Sequence, residues 1–268
     1  MSLGDRSWLS LQTLEQLYAS VPVTAPTAAK NAYIRRVNTD DFNPFDHPPD
    51  PFATFTVDPT RIRTFTGRPY PPYHEKAAQL GTVRDGDWDR PDLDDVVIID
   101  DDYRDRYDLY RAVRFEESVF FRSMRAHFVD GIDWTETPFV ERCLELAEEN
   151  RPSWRSLTTR DGILERCARI DELYERIRRD GYRSQRELGY DSLLGVTEEV
   201  LVDIGRDGEL LFVNGRHRLA IAKLLGLESI PVGVLVRHRE WMNRRDRYVQ
   251  NGTESDHPAL QNTVESAN

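Results

Sequence analysis

Lysine and cysteine are both scarce in this chain of 268 residues. Only Lys30, Lys76 and Lys223 are lysines, and the other basic residues are arginines. Two cysteines cannot make the disulfide framework of a small secreted protein, so we expect a reduced, cytoplasmic chain. No apolar run approaches the roughly 18 residues of a membrane helix, and the first residues lack the apolar core of a signal peptide. We therefore expect no membrane partner.

Acidic residues outnumber basic ones by 47 to 36, which gives a formal net charge of −11. An aspartate-rich, lysine-poor composition resembles that of halophilic proteins. In molar salt the Debye length falls to about 3 Å, so long-range repulsion between this chain and an anion would be screened. The net charge therefore does not exclude nucleic acid or a nucleotide as a partner.

A strand, a turn and a helix are predicted in succession between residues 210 and 226. Residues 210–213 form a short apolar run, which is typical of a buried strand. Asn214 and Gly215 then form a turn, because both residues tolerate positive φ angles. Residues 216–225 have apolar positions at helical spacing, and Gly226 ends the helix.

The first turn of this predicted helix carries Arg216, His217 and Arg218. Cations at this position oppose the helix dipole, which is already positive at its N-terminal end. A bound phosphate or carboxylate would relieve that repulsion and accept hydrogen bonds from the free backbone N–H groups. The alternative is that the two arginines only pair with some of the many carboxylates of the chain.

The same segment is similar to the ParB/sulfiredoxin-like family. The similarity rests on Gly215-Arg216-His217-Arg218, on Ala222-Lys223-Leu224-Leu225-Gly226-Leu227 and on Ile230-Pro231-Val232. It covers residues 164–236, which is less than a third of the chain. The sulfiredoxin catalytic cysteine has no counterpart, because neither Cys143 nor Cys167 lies in the motif.

The resemblance implies a nucleotide site. Partition proteins of the family bind CTP at this helix start, and sulfiredoxins and a small free-serine kinase bind ATP or ADP. By this resemblance, the phosphate-binding residues of the present chain would be Asn214, Gly215, Arg216, His217 and Arg218. The ligand would be one of these nucleotides, together with Mg²⁺. An NTPase or phosphotransferase activity would use His217 as a phosphate ligand or acid–base group. One carboxylate among Glu187, Glu198 and Glu199, with Glu198 preferred, would accept a substrate proton.

Two other functions of the family stay open, and the sequence does not decide whether the chain is an enzyme. One is a DNA-binding regulator or partition-type protein, although no helix-turn-helix pattern follows the motif. The other is a ParB-like nuclease, for which we find no well-formed acidic metal site.

Three further clusters have both a functional and a structural interpretation. Residues 85–89 (Asp-Gly-Asp-Trp-Asp) are either a cation-binding loop or a solvated turn, and Asp100, Asp101 and Asp102 are either a metal site or part of an acidic surface. Residues 237–241 either reach the phosphate site from the last strand or only end the sheet.

The predicted fold class is α+β, with a ParB/sulfiredoxin-like unit at residues 161–243. Residues 1–160 are predicted to be a mainly helical and irregular region that packs on this unit, with one long helix at residues 107–128. Their apolar segments are short and separated by Pro- and Asp-rich loops, so each needs a partner. Residues 244–268 are predicted to be a loosely packed polar tail.

Overall fold

The computed structural model describes residues 27–90, 96–100, 103–104, 107–190, 192–252 and 255–261. It has the mixed α+β fold class that the sequence predicts, and its helices pack around one sheet. The helices are α1 (Thr27–Thr39), α2 (Lys76–Gln79), α3 (Tyr107–Tyr110), α4 (Val119–Phe128), α5 (Pro138–Glu148), α6 (Arg160–Asp180), α7 (Arg216–Leu224), α8 (Arg239–Asn251) and α9 (Pro258–Gln261). The strands are β1 (Phe55–Val57), β2 (Thr64–Phe65), β3 (Thr82–Arg84), β4 (Val200–Ile204), β5 (Leu210–Asn214) and β6 (Ile230–His238).

The sheet has the strand order β1-β6-β4-β5-β2. β1 pairs with residues 230–232 of β6, and β3 pairs with residues 236–238 of the same strand. The central strand β4 runs antiparallel to β5, with Val202 opposite Phe212, and parallel to β6, with Val202 opposite Val234. All five residues of β4 are buried. A strand covered on both faces needs a mainly apolar sequence, and the one charged residue of β4, Asp203, is buried in an ion pair with Arg68.

β4 and β5 form a hairpin, and the predicted strand–helix junction that follows it is confirmed. β4 and β5 pair around a turn in which Gly208 has a φ of 93°. Gly215 then leads from β5 into α7 with a φ of 89°. A Cβ atom at this position would lie 2.9 Å from the Cα of Val200, so the close approach of two backbones requires glycine here.

The sheet crosses the predicted domain boundary at residue 160. β1 and β3 pair with β6, and β2 pairs with β5 in parallel, with Phe65 opposite Phe212. The region before residue 160 thus supplies three short strands to the sheet in addition to the helices that cover it. Strands of two or three residues cannot stand alone, so they depend on the longer strands that follow in the sequence.

The single helix predicted for residues 107–128 is wrong, because the chain forms α3 and α4 with an irregular segment between them. In that segment Arg111 donates a hydrogen bond to the carbonyl of Thr66, and the N–H of Phe115 donates to Arg63. Ser118 then caps α4 by accepting from the N–H of Phe121. Bonds to distant parts of the chain therefore replace the helical bonds that local spacing predicts.

Part of the predicted polar tail is well packed. Residues 244–251 continue α8, where Arg245 is buried, and Leu260 of α9 is buried in the main core. Tertiary contacts outweigh the polar composition of this segment. Within the described parts of the chain, no helix combines the length and apolar character needed to cross a membrane.

Candidate functional site

A cavity of about 430 Å³ opens at the start of α7. Its walls come from the end of β5, the first turn of α7, α2, α6 and the segments around Tyr103, Trp154 and Glu198. The lining residues are Tyr73, Lys76, Tyr103, Tyr110, Trp154, Arg166, Arg169, Ile170, Leu173, Thr197, Glu198, Asn214, Gly215, Arg216, His217 and Arg218.

The structure brings most of the predicted site residues to this cavity. Asn214, Gly215, Arg216, His217 and Arg218 border it from the strand–helix junction. Glu198, the preferred carboxylate, borders it from the segment that precedes β4. Because β4 and β5 are neighbours in the sheet, residues about sixteen positions apart in sequence meet at the same edge.

Arg216 lies deep in the molecule but keeps one side open to the cavity. Its Nη2 donates a hydrogen bond to the hydroxyl of Tyr70 at 3.1 Å, and its Cζ lies 4.1 Å from the centre of the Tyr110 ring. Among the described residues, no hydrogen-bond partner reaches its Nη1 and no carboxylate pairs with it. Burial lowers the pKa of Arg216, but the phenol groups of Tyr70, Tyr73 and Tyr110 outweigh burial and raise it.

Arg218 is more firmly held by the protein. Its Nη2 donates to the backbone carbonyl of Glu198, and its Nη1 lies 3.6 Å from Oε2 of Glu199. Glu199 is buried, and its other carboxylate oxygen accepts a 2.6 Å hydrogen bond from the N–H of Gln185. Burial raises the pKa of Glu199, since the charged carboxylate loses its hydration. Arg218 therefore neutralises a buried carboxylate of the protein and also lines the cavity.

His217 lies between two aromatic rings. The Phe120 ring of α4 meets it edge to face, with centroids 5.2 Å apart, and Trp154 stacks on it at 5.6 Å. This packing fixes the plane of the imidazole at the cavity wall. A fixed imidazole suits a directional hydrogen bond to a ligand.

Three further cations that line the cavity were not found by sequence reasoning. Lys76 donates to the carbonyl of Thr197 at 2.9 Å and to Oε1 of Glu198 at 2.7 Å. Arg166 and Arg169 line it from α6, and Arg166 lies one helical turn before the buried Ile170. A cation on the apolar face of an amphipathic helix was the available signal, because that face normally turns toward the core.

The resulting charge balance is strongly positive. The cationic lining residues are Lys76, Arg166, Arg169, Arg216 and Arg218, and Glu198 is the carboxylate among those that line the cavity. Aromatic side chains form much of the remaining wall, and the hydroxyls of Tyr73 and Tyr103 lie 3.0 Å apart in a hydrogen bond. A cationic, aromatic cavity in a chain of net charge −11 is suited to an anion with a planar group.

Residues 85–89 form an ion-pair cluster and do not form a cation-binding loop. Asp89 accepts two-pronged hydrogen bonds from Arg206, and Asp87 pairs with the same guanidinium at 2.6 Å. Asp85 pairs with Arg239 at 2.8 Å. No cluster of potential metal ligands occurs in the described portion of the chain. Of the second acidic cluster, Asp101 and Asp102 lie outside that portion.

Residues 237–241 do not reach the cavity. Arg237 is buried against Phe42, with its Cζ 5.6 Å from the ring centre, and His238 is hydrogen-bonded at 2.9 Å to the carbonyl of Gly86. The structure therefore favours the interpretation in which residues 237–241 only end the sheet. Glu187 also lies elsewhere, since its carboxylate accepts from the N–H and hydroxyl of Ser184.

No family model, curated protein or solved structure matches this chain. The functional argument therefore rests on the chemistry of the cavity.

Proposed function

We propose that this chain is a ParB-like protein that binds a nucleotide, or another small phosphate-bearing molecule, in the cavity at the start of α7. The observation that carries the proposal is the concentration of cations there. Five cationic side chains and one carboxylate line it, in a protein whose acidic residues exceed its basic ones overall. Three of the five also pair with a carboxylate, Lys76 with Glu198, Arg169 with Glu165 and Arg218 with Glu199. Arg216 has no carboxylate partner among the described residues. Like charges held together in a partly dry site destabilise the fold unless an anion pairs with them.

Arg216 and the first turn of α7 supply the expected phosphate ligands. The Nη1 of Arg216 has an N–H group without a partner among the described residues. The backbone N–H groups and the dipole of α7 favour an anion at the same place. Arginine suits this role because its planar guanidinium donates two parallel hydrogen bonds to phosphate oxygens.

The size and walls of the cavity favour a mononucleotide over a nucleic acid duplex. A volume of about 430 Å³ lies within the range of roughly 300–1,000 Å³ that is usual for small-ligand sites. Tyrosine and tryptophan side chains offer apolar surface to a base or sugar. The cations border a concave cavity, whereas a duplex is normally bound by an open basic surface.

In a phosphotransferase or NTPase reaction, Glu198 would accept the proton of the attacking hydroxyl or water. The attacking oxygen then bonds to phosphorus as the bond to the leaving phosphate oxygen breaks. Lys76 holds this carboxylate at 2.7 Å, and His217 would hydrogen-bond the transferred phosphoryl group. Mg²⁺ would arrive with the nucleotide, because such ions are commonly bound by phosphates and one or two carboxylates.

The test is a comparison of ATP, ADP, CTP and inorganic phosphate, each with and without Mg²⁺, by thermal unfolding and calorimetry in high salt. We expect one nucleotide to raise the melting temperature, with about 2.7 kcal/mol of apparent stabilisation at 100 times Kd. Arg216→Met should abolish this effect, and Arg169→Met, which changes an exposed lining residue, should weaken binding several-fold. Arg142→Met, which removes an arginine paired with Glu145 outside the cavity, is the matched control.

The proposal is wrong if none of these ligands binds the wild-type protein. It is also wrong if Arg169→Met and Arg216→Met bind the ligand as tightly as Arg142→Met does.

A further inference from the structure

Arg111 is an arginine of the core. It follows α3 directly, is only 6% exposed, and donates one hydrogen bond from Nη2 to the carbonyl of Thr66. Its Nε and Nη1 are buried and have no hydrogen-bond partner within the described parts of the chain. A guanidinium has five N–H donors and stays charged in proteins, so both the charge and the donors of Arg111 need compensation.

A small cavity separates Arg111 from Arg216. Its volume is about 10 Å³, and it is lined by Phe65, Thr66, Tyr70, Pro72, Arg111, Phe212, Val213 and Arg216. This space is close to the minimum that holds one water-sized occupant. Arg216 thus borders two cavities, the large one in front of α7 and this small one behind it.

Neither guanidinium is neutralised by a carboxylate of the described residues. The charged or ionisable groups that face Arg111 are the phenols of Tyr70 and Tyr107, and its Cζ lies 5.7 Å from the Tyr107 ring centre. The hydroxyl of Tyr70 is hydrogen-bonded to Arg216. Burying two unpaired charges near each other is costly, and a water molecule supplies acceptors but no negative charge.

We propose that this small cavity binds one monatomic anion of the chloride class, held between the guanidinium groups of Arg111 and Arg216. Chloride accepts several N–H hydrogen bonds at once and cancels one of the two charges. A monatomic ion needs less room than phosphate, sulfate or a carboxylate group does. The anion would hold the Arg216 guanidinium from behind while the opposite side of that residue still faces the large cavity.

The site shares Arg216 with the proposed nucleotide site, so it is tested on the full chain without nucleotide. Chloride is exchanged for methanesulfonate, a larger monovalent anion, at constant sodium concentration, and the melting temperature is measured. In wild-type protein we expect the melting temperature to rise by several degrees with chloride and to saturate. Arg111→Met should lose this response. Arg114→Met, which removes an exposed arginine three residues away, should keep it.

Crystals of the wild-type protein grown in bromide provide a second measurement that does not depend on a folded variant. An anomalous peak between the Arg111 and Arg216 guanidinium groups is expected. The proposal is overturned if that position has no anomalous signal in bromide. It is also overturned if Arg111→Met folds and keeps the full chloride response.

Discussion

The Cζ of Arg216 lies 4.1 Å from the centre of the Tyr110 ring, at the start of α7. The charge of this arginine is therefore stabilised by an aromatic face and by the hydroxyl of Tyr70, and not by a carboxylate of the described residues. A carboxylate partner would compete with an anionic ligand for the same N–H groups. Aromatic support leaves those groups available, which is the arrangement that an anion-binding arginine requires.

Tyr110→Leu should destabilise the protein more than Tyr110→Phe does. Both variants lose the hydroxyl, but phenylalanine keeps a ring face beneath Arg216 and the edge-to-face contact with Phe139. We expect a cost of about 2 kcal/mol or more for leucine, from the lost cation–π contact and the poorer packing. Denaturant unfolding of the three proteins measures the difference. Equal stability of the two variants would contradict a role for the ring face.

Arg218→Ala should abolish nucleotide or phosphate binding and also lower stability moderately. The sequence alone predicts a loss of binding with an intact fold, but the contact with Glu199 adds a second effect. Removing Arg218 leaves that buried carboxylate without its cation, which costs on the order of 1–3 kcal/mol.

The double variant Arg218→Ala/Glu199→Gln separates the two effects of Arg218. A neutral glutamine needs no cation, so it should recover part of the stability but none of the binding. Calorimetry and denaturant unfolding measure the two quantities. Recovery of binding in the double variant would show that Arg218 acts only by holding Glu199.

Asp89→Asn should cost about 2 kcal/mol, whereas Asp87→Asn should change stability by less than about 0.5 kcal/mol. Both aspartates pair with Arg206, but the Asp89 side chain is 2% exposed and the Asp87 side chain is 84% exposed. Asp89 also accepts from the N–H of Arg206 at 2.7 Å. Urea unfolding at neutral pH provides the comparison, and similar losses in both variants would refute this view of the cluster.

Local sequence signals were sufficient for the segment around α7. A short apolar run, a turn with Asn214 and Gly215 and a helix stop at Gly226 specify β5 and α7, because these preferences depend on neighbours in the chain. The chemistry of the first turn also identified the residues that line the cavity at this junction. The family resemblance that we drew from the same residues stays a proposal.

Long-range contacts could not be predicted in the same way. Arg68 pairs with Asp203 of β4 through a 2.6 Å Nε–Oδ2 contact in which both side chains are buried. The same carboxylate accepts from the N–H of Val236. Nothing near either residue in the sequence indicates its partner. Lys76, Arg166 and Arg169 of the large cavity were missed for the same reason. Charged residues are usually exposed, so a pattern alone assigns them to the surface.

His257 connects the C-terminal segment to the β4–β5 turn as a neutral imidazole. Its Nε2 lies 2.8 Å from the carbonyl of Gly208, and its Nδ1 lies 3.2 Å from the N–H of Ala259. The carbonyl only accepts and the N–H only donates, so the proton is on Nε2. Burial, which would strip the charged form of its hydration, and to a smaller extent Arg61 together lower the pKa of His257 to about 4.

The protein should lose stability through His257 as the pH falls from about 6.5 to about 4. In this range the unfolded chain binds a proton at His257 and the folded chain does not, so the free energy of unfolding decreases. The contribution is fully present above about pH 6.5, and a depression of this size amounts to about 3 kcal/mol when it is lost. Chemical unfolding of the wild type and His257→Gln across this range measures it. The glutamine variant keeps a donor for the carbonyl of Gly208 but does not titrate. The excess in the free energy of unfolding of the wild type over this variant should therefore shrink toward pH 4. A constant difference between the two proteins would show that His257 titrates normally in the folded state.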